Sequence, residues 1–154
     1  VRDLGFSCGF RAARSPLPSV ARIRALSSDA IGLLRADAMN DDQILAEFRA
    51  AEALLEGHFI LSSGLRSSRY LQCARVLMDP ARAERLAQAL AAKIPADVRA
   101  AVDVVVAPAM GGLICGHELA RALGVLSMFV ERPTGTFELR RGFRLEPGQK
   151  VLTM

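Results

Sequence analysis

VDVVVAPAMGGLICG, residues 102–116, reads as strand, turn and helix in immediate succession. The near-continuous apolar run over 102–107 has the character of a strand covered on both faces, as in a parallel sheet. Pro108 breaks the run, and Gly111 and Gly112 follow. An apolar helical period then sets in, with Leu113, Ile114, Leu119, Ala120 and Leu123 on one side. A unit of this kind brings backbone close to a ligand at the carboxyl end of a sheet strand, where the free N–H groups of the helix start can hold a phosphate. Without a ligand, the same pattern is a plain strand-loop-helix connection. The glycines of GGLICG are not spaced as in a dinucleotide fingerprint, and no GxSxG elbow, Walker A sequence or HExxH is present.

Upstream of this unit, Asn40 or Asp41 can cap a helix that is expected to run to about Leu55. Its apolar face would be Ile44, Leu45, Phe48, Ala51, Leu54 and Leu55, with Gly57 ending it. HFILSSGLRSSRYLQCARVL, residues 58–77, reads as a hairpin-like piece: a strand over 59–61, an SSG turn and a second strand over 69–76. Asp79 and Pro80 open another helix, which turns Leu86, Ala89, Leu90 and Ile94 to the core and ends near Pro95. Downstream, Gly124 closes the helix of the central unit and a strand over 125–130 follows. Residues 131–144, ERPTGTFELRRGFR, read as an exposed loop or loose hairpin, and 146–148 as a turn. A further buried strand opens at Lys150 and is interrupted at Met154, so the chain is expected to be cut there.

Bulk properties restrict the function. Hydrophobic residues make up 51% and charged residues 23% of 154 residues, which fits one soluble domain with a real core. No apolar run approaches the roughly 20 residues that span a bilayer. The formal charge is +4, but residues 1–38 carry six Arg and three Asp, which leaves the remainder nearly neutral. The basic balance is therefore poor support for nucleic-acid binding. Cys8, Cys73 and Cys115 are far apart and form no CxxC pair, as expected of reduced cysteines in a cytoplasmic protein. Residues 1–38 have no clear period and contain Pro16 and Pro18. They read as an N-terminal extension, disordered or spurious, with a targeting segment or a structural arm as alternatives. Met39, followed by Asn40, Asp41 and Asp42, looks like a natural start, so 39–154 is taken as the domain, itself incomplete.

Several groups are suited to polar ligands. Arg132, Arg140, Arg141 and Arg144 are the densest positive cluster outside the extension, and the planar fork of Arg matches phosphate. Their Gly-bearing loop is either a mobile lid or a solvated basic loop. Ser62, Ser63, Gly64, Arg66, Ser67 and Ser68 offer small donors and a cation on a turn, or are ordinary turn residues. His117 reads as a helix-surface or core histidine and Cys115 as core filling rather than as catalytic groups.

Together, GHFILSSGLRSSRY (57–70), VDVVVAPAMGGLICG (102–116), FVER (129–132) and RRGFRLEPGQKVL (141–152) resemble the orotate phosphoribosyltransferases, a family of type I phosphoribosyltransferases. The resemblance covers roughly residues 41–152. It implies an α/β fold: a central parallel sheet flanked by helices, with an N-terminal hood. It implies transfer of the 5-phosphoribosyl group from phosphoribosyl pyrophosphate (PRPP) to N1 of orotate, giving orotidine 5′-monophosphate and pyrophosphate in pyrimidine biosynthesis. It also implies Mg²⁺ and a homodimer, with no nucleic-acid or membrane partner. By the same resemblance, Ser62, Ser63, Gly64, Arg66, Ser67 and Tyr70 lie on the orotate and ribose side. Ala109, Gly111 and Gly112 contact the pyrophosphate, and Arg132 reaches PRPP, in part across the dimer. Arg140 and Arg141 are the local substitutes for the lysines and histidine that many members carry in the lid. Many members have Lys where this chain has Ser62 and Gly111. The family's PRPP signature, an acidic pair followed by Thr-Thr-Gly, would come after Val151, so the chain as given is expected to bind PRPP poorly and to show no turnover. Other readings are a purine or other base phosphoribosyltransferase, a PRPP-responsive regulatory or RNA-binding protein, and an inactive fragment.

Overall fold

A computed structural model describes residues 39–61 and 63–154. The expectations placed on residues 1–38 and on Ser62 fall outside the described residues.

Helix α1 (Asp41–Ala50) starts as its sequence dictates. The Asn40 side chain accepts from the Gln43 N–H at 2.9 Å, and Gln43 Oε1 accepts from the Asn40 N–H at 2.8 Å, a reciprocal capping box. The helix ends earlier than the apolar pattern suggests, because Glu52 turns the chain at φ 49° and Ala53 is fully buried. Leu54 and Leu55 therefore belong to strand β1 (Leu54–Ile60), not to the helix, and Gly57 lies within that strand. β1 pairs antiparallel with β2 (Arg66–Leu71), the register slipping between Glu56 and Phe59.

The second strand expected over 69–76 stops at Leu71, and the chain enters a short helix, α2 (Cys73–Leu77). Cys73, Val76 and Leu77 stand at i, i+3 and i+4 and line one apolar cavity, a helical spacing that overrides the β-branched character of Val76. Val76 packs with Ala51 and Ala53 in a small core to which Phe48 and Leu86 add.

Helix α3 (Pro80–Lys93) begins at an Asp79 cap, whose Oδ1 accepts from the N–H groups of Ala81 at 3.0 Å and Arg82 at 3.3 Å. Its buried positions are Ala83, Ala87, Ala89 and Ala91, small residues that let it lie close to its neighbours. Leu90, expected in the core, is 37% exposed and lines the apolar cavity instead. A short helix, α4 (Ala96–Ala101), follows Pro95. Its six residues are too few to show an apolar period, and the sequence reading passes over them.

The main sheet is built from β3 (Val104–Pro108), β4 (Leu126–Glu131), β5 (Glu138–Leu139) and β6 (Val151–Thr153), in the order β5-β4-β3-β6. β4 and β6 both run parallel to β3, as the apolar run over 102–107 predicts, whereas β5 returns antiparallel to β4. The sheet is thus mixed, and the 131–144 segment is a true if minimal hairpin. Helix α5 (Leu113–Leu123) crosses between β3 and β4 and closes at Gly124 in the left-handed conformation, φ 65°. Val105, Leu119, Ala120, Leu123 and Ala91 form the core between the sheet and helices α3 and α5, with Leu152 packed against it. Asp103 pins β6: its backbone N–H donates to the Lys150 carbonyl at 2.9 Å, and its Oδ2 accepts from the Lys150 N–H at 3.0 Å.

Candidate functional site

β3 carries its backbone to Pro108 and then turns sharply into α5. The turn closes by the Gly112 N–H donating to the Pro108 carbonyl at 2.9 Å, and the Leu113 N–H to the Met110 carbonyl at 3.2 Å. The peptide between Ala109 and Met110 is cis. A Cβ on Gly112 would lie 2.8 Å from Pro108 Cδ and 2.9 Å from the Pro108 carbonyl oxygen, so only glycine fits this turn. A Cβ on Gly111 would meet nothing within 4 Å, and Met110 is 81% exposed. The loop therefore stands into solvent. Among the described residues the N–H groups of Met110 and Gly111 have no hydrogen-bond acceptor. That leaves two backbone donors beside the start of an 11-residue helix, a fit for anionic oxygen.

Register brings Arg132 to the same end of the sheet. Pro108 is paired with Val130, and the Ala109 N–H donates to the Val130 carbonyl at 2.8 Å. Glu131 and Arg132 thus leave β4 beside the point where Ala109 leaves β3. On the other side of β3, the Met154 N–H donates to the Val106 carbonyl at 3.2 Å, which puts the end of β6 in the same row. Carboxyl ends of neighbouring parallel strands are where α/β sheets take ligands.

Arg132, Arg140 and Arg141 are engaged within their own hairpin. Arg132 Nε donates to the Gly135 carbonyl at 2.5 Å, and its guanidinium sits 5.3 Å from the centroid of the Phe137 ring. Arg140 Nη1 and Arg141 Nε donate to the two carboxylate oxygens of Glu131, at 3.1 and 2.7 Å. The hydrogen bond from Arg141 is the main cause holding the Glu131 carboxyl below its ordinary value, and the same pair raises Arg141. Arg141 holds a left-handed backbone, φ 59°, and Gly142 follows at φ 78°.

The serine-rich turn lies elsewhere. Gly64 takes φ 82°, the conformation that lets the chain reverse between β1 and β2. Arg66, Ser67 and Ser68 line an open cleft of ≈ 350 Å³ with His58, Phe59 and Ile60. The Tyr70 and Phe59 rings meet tilted at 33°, with centroids 5.7 Å apart, and Ser67 Oγ donates to the Arg69 carbonyl. No residue of the 109–112 loop and no arginine of the 131–144 hairpin lines this cleft. The structure therefore brings Ala109, Gly111, Gly112, Arg132, Arg140 and Arg141 to one end of the sheet, while Ser63, Gly64, Arg66, Ser67 and Tyr70 stay on the hairpin.

Two further cavities show what the sequence reading missed. One of ≈ 470 Å³ lies among α1, α2, α3 and α5, with Ile44, Phe48, Cys73, Leu86, Gly111 and Cys115 in its wall. Its lining is apolar apart from Glu118 and Lys93, the latter paired with Asp41 at 2.6 Å, and it reaches the back of the 109–112 loop. Burial pushes the Cys115 thiol above its ordinary value, in keeping with a space-filling residue. His117 lines a third, shallow cleft with Phe129 and Phe143, whose rings meet edge to face at 5.1 Å.

No protein-family model matches the chain. Among curated proteins, it is 76% identical over 116 residues to the orotate phosphoribosyltransferase of Rhizorhabdus wittichii, a match covering 75% of this chain and 59% of that protein. The chain is a homologue of the orotate phosphoribosyltransferases. The protein of that name from Novosphingobium aromaticivorans is 72% identical over 114 residues, covering 74% of this chain and 59% of its own length. The chain therefore spans about three-fifths of the length of these relatives. Among solved structures, the orotate phosphoribosyltransferase of Aeropyrum pernix superposes with a TM-score of 0.56 at 27% identity, covering 71% of this chain and 62% of that one. The UMP synthase of Leishmania donovani gives the same TM-score, 0.56, at 14% identity over 75% of this chain and 25% of its own, and so shares the fold. The α/β architecture expected of a type I phosphoribosyltransferase is the one observed.

Proposed function

We propose that this chain forms the pyrophosphate-binding part of an orotate phosphoribosyltransferase, a pentosyltransferase that moves the phosphoribosyl group of PRPP to N1 of orotate. The observation that carries the reading is the meeting, at the carboxyl ends of β3 and β4, of a loop with unspent N–H donors and the backbone of Arg132. The identity to relatives of that name supports orotate rather than a purine as the acceptor base. A homodimer is part of the same proposal.

In this reaction the C1–O bond of PRPP breaks with oxocarbenium character as pyrophosphate leaves. A protein without a nucleophile serves it by aligning donor and acceptor and by neutralising the departing anion. The N–H groups of Met110 and Gly111 would meet the pyrophosphate oxygens, and Arg132 would contribute a charge-assisted fork. Ser63, Gly64, Arg66, Ser67 and Tyr70 would face the orotate and ribose side. Mg²⁺, when bound, would screen charge on the pyrophosphate. The described residues contain no cluster of three His, Cys, Asp or Glu, so they do not fit an all-protein metal site, and the ion would be carried by the phosphates.

Calorimetric titration with inorganic pyrophosphate tests this. Saturable binding by the wild-type chain is expected, weakened more than about tenfold by Arg132→Ala. With pyrophosphate present, orotate but not hypoxanthine should raise the melting temperature. No pyrophosphate binding, or binding indifferent to Arg132→Ala, would overturn the assignment.

A further inference from the structure

The 131–144 hairpin holds four arginines against two glutamates, Glu131 and Glu138, yet only one of these acids meets the arginines at its base. Glu131 accepts from Arg140 with one carboxylate oxygen and from Arg141 with the other. Its side chain is 18% exposed, whereas those of Arg140 and Arg141 are 49% and 66% exposed. The carboxylate thus lies beneath two guanidiniums that face solvent. Each guanidinium spends only one N–H on it, and a guanidinium has five. An anion arriving from solvent meets the arginines first and the glutamate last.

From this layering we propose that Glu131 is an internal counter-anion of the ligand site: it holds Arg140 and Arg141 while no ligand is bound and yields them to an incoming polyphosphate. The proposal rests on the pyrophosphate-binding reading above. Exposed ion pairs are weak and easily exchanged, while a polyphosphate brings several charged oxygens that accept from guanidinium bidentately. The antiparallel pairing of Val130 with Leu139 and of Glu131 with Glu138 keeps the base of the hairpin fixed during the exchange. Arg132, tied to the Gly135 carbonyl and the Phe137 ring, would change partners in the same event. Glu131 is then a residue that sets the resting state of the site and touches no ligand itself.

Inorganic pyrophosphate is the probe, titrated calorimetrically into the wild-type chain and its variants. Glu131→Gln is expected to tighten binding at least about threefold, because the neutral amide releases both arginines. Glu138→Gln removes the same charge from the same hairpin without freeing either arginine, and its gain should be clearly smaller. Arg140→Ala combined with Arg141→Ala leaves Glu131 intact and should weaken binding at least about fivefold. Equal or weaker binding by Glu131→Gln, an equal gain from Glu138→Gln, or no loss in the double arginine variant would each overturn the proposal. If Arg132→Ala weakens binding but Glu131→Gln does not strengthen it, the counter-anion role fails while the functional reading stands. If neither the wild type nor Glu131→Gln binds pyrophosphate, both fail.

Discussion

Gly116 of α5 sits so close to Ala107 of β3 that a Cβ built on it would lie 2.4 Å from the Ala107 Cβ. Helix and strand here touch through a glycine and an alanine, and the contact fixes how deeply α5 seats on the sheet. Because α5 carries the 109–112 turn at its start, the same contact positions the loop.

Gly116→Ala should therefore lift the helix and destabilise the fold by roughly 1–3 kcal/mol, the usual cost of overpacking. Ala107→Gly in the same chain removes the clashing methyl and should recover part of that loss. Urea unfolding of the two single variants and the double variant measures the coupling. Simple additivity would mean that the helix is seated by other contacts.

Glu47 joins α1 to α3. It accepts from Arg82 Nε at 2.8 Å and from Arg85 Nη2 at 2.7 Å, and the hydrogen bond from Arg82 is the first cause holding its carboxyl below its ordinary value of 4.5. A carboxyl depressed in the folded state stabilises at pH values above its unfolded pKa, and that contribution is lost as the pH falls through the folded pKa. Glu47→Gln should cost about 1–2 kcal/mol at neutral pH, more than an exposed pair because both partners, Glu47 and Arg82, are only 18% exposed. The difference between wild type and variant should shrink steadily below pH 4.5. A difference that stays constant with pH would show that the loss comes from packing and not from the charge.

Cys73 and Cys115 line the same apolar cavity but differ in reactivity for a physical reason. Cys73 is exposed, whereas Cys115 is partly buried and its thiol is pushed upward by desolvation. The thiolate is the reactive form. A maleimide at neutral pH should therefore label Cys73 at least about tenfold faster than Cys115, as followed by peptide mass spectrometry. Denaturation should abolish the difference. Equal rates in the folded protein would place Cys115 in an open environment.

The central unit was legible because its signals are local. A run of Val104, Val105 and Val106 closed by Pro108 reads as a covered strand, Gly124 can take the left-handed cap, and the apolar period of α5 has room to repeat. The region over 50–77 was not, because tertiary contacts decide it. Leu54 and Leu55 continue a helical pattern on paper, but burial of Ala53 and the turn at Glu52 pull them into β1. Val76 has a strand former's shape, but its place against Ala51 and Ala53 makes it helical. At the candidate site, the place of the glycine loop between β3 and α5 and of Arg132 just past β4 was legible, since strand ends and helix starts advertise themselves. The double engagement of Glu131 could not. An adjacent Glu131 and Arg132 suggest that these two neutralise each other, whereas the β4–β5 register delivers Arg140 and Arg141 to the carboxylate.

The two glycines of the 109–112 loop should behave oppositely. Gly112 has no room for a side chain, as Pro108 closes on it from both ring and carbonyl. Gly111 faces open space, and neither residue has a positive φ that would strain an alanine. Gly112→Ala must therefore displace the turn and with it the N–H groups of Met110 and Gly111. It should weaken pyrophosphate binding by about tenfold or more, while leaving most of the helix intact. Gly111→Ala keeps the backbone path and should change the affinity by less than about threefold. Calorimetric titration with pyrophosphate and far-ultraviolet circular dichroism on both variants separate a lost site from a lost fold. An equal effect at the two positions would mean that side-chain space around the loop, rather than the path of its backbone, governs binding.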